Sequence, residues 1–141
     1  MALVTKQQIE GMFQGNGSSE EQAMSQLASC LFHSQIQTHV IHLQAVNKSF
    51  PTHDALGEYY SGLEDLIDST VEKWQGKYSI VQNYSLKPIE TSTDAITHIS
   101  SVAKEVEALR SRFSDGYIQQ EIDNILAHIY QSLYRLKNLL T

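Results

Sequence analysis

Residues 77–93, K-Y-S-I-V-Q-N-Y-S-L-K-P-I-E-T-S-T, interrupt a chain that is otherwise patterned for helices. They show no helical period, and Pro88 cannot donate into a helix ladder. At about 17 residues the stretch is far longer than a junction between antiparallel helices needs. It is long enough to carry the chain back along a bundle, with room for a short helix inside it, so the helices on either side of it should run parallel. The expected architecture is therefore all-α, with four long helices, a short link in each half and one long crossover between the halves.

Upstream, Thr5 to Phe13 reads as a short N-terminal helix ended by the turn signal Gly15-Asn16-Gly17, so residues 1–17 form an N-terminal segment. Ser18 or Ser19 then caps the first long helix, with Glu20 and Glu21 at its positive end. No breaker follows until Pro51, which predicts a helix from about Glu20 to Lys48, about 40 Å long. Stepped at 100° per residue, it carries two apolar stripes. Ala23, Leu27, Cys30, Leu31, Thr38, Ile41 and Ala45 form one, and Phe32, Ile36, Val40 and Leu43 form the other on roughly the opposite side. An outer helix of a monomeric bundle needs only one. The second stripe predicts a two-fold contact with another copy of the chain, or cover from the N-terminal helix.

Ser49-Phe50-Pro51-Thr52 is a break, with Thr52 as the cap of a second helix from about His53 to Gln75 and Gly76 as its stop. Its core stripe is Leu56, Tyr59, Tyr60, Leu63, Ile67, Thr70, Val71 and Trp74. Downstream of the crossover, Thr93 caps a third helix carrying Ala95, Ile96, Ile99, Val102, Ala103, Val106, Leu109 and Phe113. Asp115-Gly116 turns into a fourth, carrying Ile118, Ile122, Ile125, Leu126, Ile129, Leu133, Leu136 and Leu140.

The 141 residues make one domain (1–141) with a substantial core. A net charge of −6 argues against a nucleic-acid surface or a polybasic membrane contact. No apolar run approaches the roughly 20 residues of a membrane span, and the first ten residues lack a secretory apolar stretch. The single cysteine, Cys30, excludes an intrachain disulfide and a cysteine-based zinc site. A cytoplasmic location follows as the expectation.

The chemistry-bearing residues lie between residues 39 and 72. His39 and His42 stand one turn apart, His53 opens the second helix, and Asp68 and Glu72 stand at i, i+4. Imidazoles with carboxylates suit iron or another divalent transition metal. By helix phase Asp68 and Glu72 lie roughly 140–180° from their own core stripe. They therefore face solvent or another chain. No Glu-x-x-His pair occurs on any helix, so an intrachain di-iron site of the usual ferritin kind is not expected. Taken singly, each of these side chains would pass as a solvated helix face.

Together, His42, His53, Asp68 and Glu72 resemble the ferroxidase segment of the Dps family, the ferritin-like mini-ferritins. The wording H-L-Q, T-H-D-A-L-G-E-Y-Y, L-I-D-S-T-V-E and Q-G-K-Y also resembles ferritin-like proteins of phage genomes. The residue match covers about a quarter of the chain, and the helix layout most of the rest. The resemblance implies a ferritin-like four-helix bundle that oxidises and sequesters Fe(II), with histidines from one subunit and carboxylates from its two-fold mate. It also implies a homo-oligomer through Phe32, Ile36, Val40 and Leu43, of which a dodecamer-like shell is one form. His39 and Glu58 are then candidates for supporting positions or a weak second ion. The chain departs from the family at Leu43, where a tryptophan is usual, and at Gly57, where an acid is usual; it also lacks the lysine-rich DNA-binding tail. The competing expectation is a phage assembly or virion component that keeps the oligomer without the chemistry.

Overall fold

The computed structural model describes residues 6–45 and 50–139. Four helices account for most of them: α1 (Lys6–Gln44), α2 (Phe50–Lys77), α3 (Ala95–Arg110) and α4 (Gly116–Asn138). No strand occurs among the described residues, and no helix there is long and apolar enough to cross a membrane. Around the bundle the order is α1, α2, α4, α3, so α1 faces α4 across one diagonal and α2 faces α3 across the other.

The core is built mainly from the stripes read from the sequence, with Tyr60, Val71, Ile96 and Leu126 only partly buried at its edge and Met24, Ala55 and Val81 added to it. Leu27 and Leu31 of α1 pack with Leu56, Tyr59, Leu63 and Trp74 of α2, Ile99 and Val106 of α3, and Ile118, Ile122 and Ile125 of α4. Each such side chain contributes about 1.5–3 kcal/mol by leaving water. Leu140, also placed on the α4 stripe, lies outside the described residues.

Several local expectations are overturned. There is no separate N-terminal helix, because α1 continues through Gly15-Asn16-Gly17. A helical glycine costs about 1 kcal/mol, and extending an existing helix avoids a second nucleation. Glu20 and Glu21 therefore sit in mid-helix. Buried Glu20 instead accepts hydrogen bonds from Trp74 Nε1 (3.3 Å) and from the N–H (2.8 Å) and hydroxyl (3.0 Å) of Ser114, joining α1 to the far ends of α2 and α3. The helix α2 begins at Phe50, so Thr52 lies in its first turn rather than at its cap. Pro51 is tolerated there because no ladder donor is required in that turn. Gly76 does not stop α2, which runs to Lys77. The N-cap of α3 is Asp94 rather than Thr93; its carboxylate accepts from Thr97 N at 2.9 Å. The helix α1 ends at Gln44, short of the expected Lys48. The expected start at Thr5 and the break at Ser49 fall outside the described residues.

The crossover runs from the end of α2 to α3 with no short helix inside it, and the structure shows what fastens it. Gln75 Oε1 accepts from Val81 N at 2.9 Å, and Val81 is buried. From there the chain runs extended along α1, held by a polar row at four-residue spacing. Ser25 Oγ donates to Asn83 O, and Ser29 Oγ accepts from Ser85 N at 2.9 Å. His33 Nε2 donates to Pro88 O at 3.2 Å. Gln37 both donates to Glu90 O and accepts from Glu90 N, each at 2.8 Å. Both series ascend together, so the crossover is parallel to α1 and antiparallel to α2. It delivers the chain to the top of α3, and α2 and α3 are parallel.

Candidate metal centre

His42 and His53 meet where the end of α1 packs on the start of α2. Their rings stack with centroids 3.7 Å apart. His42 Nδ1 donates to the backbone carbonyl of His53 at 2.9 Å. That bond fixes the tautomer and leaves Nε2 with its lone pair, the arrangement a metal-ligating imidazole needs. Exposed His39 stacks on Tyr60 with centroids 4.2 Å apart, and its ring lies 6.1 Å from that of His42. Three imidazoles and a phenol thus gather at one end of the α1–α2 face.

Asp68 and Glu72 are both exposed, as their helix phase required. By helix phase they lie about 60° and 100° around α2 from half-exposed His53. Fifteen residues of helix put Asp68 about 22 Å from His53, beyond the reach of side chains in one chain. Among the described residues no group of three His, Cys, Asp or Glu side chains is arranged to hold a metal ion. The chain thus holds its imidazoles and this pair of carboxylates at positions that it cannot bring together by itself. Glu58, a candidate for a supporting role, is placed elsewhere. Its carboxylate pairs with Arg135 of α4, which also holds Asp54 at 3.1 Å.

Between the histidines and this acidic pair the second stripe of α1 is only partly covered. Ile36 is 47% exposed and Leu43 67%, with Phe32 and Val40 half-buried. With Tyr60, Ser61 and Glu64 of α2, Ile36 and Val40 line a groove of about 480 Å³. Phe32 meets Tyr84 of the crossover edge-on, with centroids 5.9 Å apart.

One polar cluster escaped the sequence reading. Fully buried Ser34 has its hydroxyl 2.7 Å from Tyr59 OH and 2.9 Å from His98 Nε2. Burial, helped by neighbouring His33 and Lys87, brings the His98 pKa down to about 4. Burial and a hydrogen bond to Glu105 push the Cys30 thiol well above its ordinary range, which makes it a poor nucleophile. Cys30 and His98 line a cleft of about 700 Å³ between α1, α3 and the crossover. The signal available in the sequence was the row Ser25, Ser29, His33 and Gln37, four apart on a helix otherwise described by its apolar faces.

A protein-family model matches residues 42–136, more than half of the chain. The chain belongs to DUF5856, a family of unknown function. The stretch matched to DUF5856 opens on His42 and takes in His53, Asp68, Glu72, the crossover and nearly all of α4. No curated protein and no solved structure matches the chain.

Proposed function

We propose that this chain is a ferritin-like, Dps-type iron-binding protein whose metal site is shared by two copies across a two-fold interface. The observation that carries the reading is the split of donors on one face. His42 and His53 are stacked at one end with a free Nε2 on His42, while Asp68 and Glu72 point outward about 22 and 28 Å away along α2. Each half is suited to a metal and neither is sufficient alone. The donor set, neutral imidazole plus carboxylate, fits iron.

Fe(II) is the substrate in this reading. The imidazoles of one chain bind it, and the carboxylates of the second neutralise its charge and favour Fe(III). Each Fe(II) gives one electron to dioxygen or peroxide from solution. The partly exposed strip of Phe32, Ile36, Val40 and Leu43 supplies the apolar contact between copies.

The test is titration of the purified protein with Fe(II), anaerobically for binding and aerobically for Fe(III) absorbance. Wild type should bind and oxidise the ion, whereas His42→Ala and Asp68→Asn should do neither while retaining their helices. Equal binding by all three would leave an assembly protein without metal chemistry, which light scattering would then register as an oligomer.

A further inference from the structure

A shared site fixes where the two-fold axis must run. A two-fold exchanges positions at equal distances on either side of it, and the midpoint of His53 and Asp68 on α2 falls at Tyr60–Ser61. The α1–α2 contacts run from His42 on His53 to Glu20 on Trp74, which sets Ile36 level with that point. The groove lined by Ile36, Tyr60 and Ser61 lies there. Its apolar centre can meet itself, and its ends are unlike: imidazoles at one, exposed Glu64, Asp65, Asp68 and Glu72 toward the other. Rotation by 180° brings acidic ends onto imidazole ends, whereas a parallel arrangement would set acid against acid.

The same operation pairs position 64 with position 57. Gly57 lies under the edge of the His42 ring; a Cβ built there would make an ordinary van der Waals contact with His42 Cε1 at 3.5 Å, so position 57 borders that ring directly. Glu64 is exposed and lines the groove, with no ion pair among the described residues, in contrast to Glu58 on Arg135. We infer that Glu64 of a second copy reaches over Gly57 to the His42–His53 half-site and supplies a third carboxylate to the bound metal. The inference rests on the shared-site reading and adds to it a ligand and an axis.

Two measurements test it. For the axis, Ser61→Cys should give a covalent dimer on mild oxidation without metal, whereas Asn124→Cys on α4 and the wild type, with Cys30 alone, should not. For the ligand, anaerobic Fe(II) titration of Glu64→Gln should show at least tenfold weaker binding, and Gly57→Asp added to Glu64→Gln should restore it by placing a carboxylate in the same space. Unchanged binding by Glu64→Gln alongside loss in Asp68→Asn would overturn the Glu64 assignment and keep the shared site. Unchanged binding in both would overturn the shared site as well. Absence of the Ser61→Cys cross-link in a folded protein would overturn the axis, whatever the titrations show.

Discussion

The His42 ring is oriented by the backbone of His53, not by its side chain: Nδ1 donates to the His53 carbonyl while the two rings stack. Substituting His53 therefore removes one imidazole without releasing the other. His53→Ala should weaken Fe(II) binding at least about tenfold, the scale seen for perturbed metal sites. Its melting temperature should stay within a few degrees of wild type. Calorimetric titration and a thermal melt on one preparation check both.

Two glycines of α2 make a matched pair. A Cβ at Gly62 would lie 2.4 Å from His128 Cε1, and that ring is held by its bond to Tyr59 O at 2.8 Å and its stacking on Tyr59. Gly62→Ala should displace His128 and cost about 1–3 kcal/mol. Gly57→Ala meets only an ordinary contact and removes a helical glycine, so it should be neutral or stabilising by up to about 1 kcal/mol. Urea denaturation of both variants gives the comparison.

Acid should act through His98. Its folded-state pKa, about 4, lies below the ordinary histidine value, so the unfolded chain takes up a proton first as pH falls. The native state should hold its full advantage above about pH 6.5 and lose it progressively down to about pH 4, by up to roughly 3 kcal/mol. His98→Gln, which keeps a donor for Ser34, should flatten that part of the stability–pH curve. Denaturation midpoints measured between these limits would show the difference in slope.

Gln37 is 1% exposed and makes two bonds to the backbone of Glu90. Gln37→Leu should leave both peptide groups without partners, at about 1–3 kcal/mol for the pair. Amide exchange at Glu90 should accelerate strongly, while amides in the middle of α4 change only with global stability.

The bundle was legible because its helices are long and strongly periodic, and because residues 77–93 break that period over a length that only a crossover explains. The outward direction of Asp68 and Glu72 was legible for the same reason. Helix ends were not. Local signals at Gly15-Asn16-Gly17, Thr52 and Gly76 are each worth about 1 kcal/mol, which a long cooperative helix overrides. Glu58 illustrates a second limit: its partner Arg135 is 77 residues away, and no local pattern announces the pair. Ser34, Tyr59 and His98 were hidden because two of them stand among apolar neighbours and a hydroxyl does not break a stripe.

The polar row that holds the crossover shares its helical pitch with the apolar stripe that fills the core. A single residue inserted in α1 between Ser25 and Gln37 would turn one end of both rows by about 100° relative to the other. That stretch is therefore closed to changes of length. The crossover touches α1 only at intervals, and between Ser85 and Pro88 the chain can lengthen or shorten without disturbing either register. Insertions and deletions in related chains should gather there, in the least helical part of the molecule.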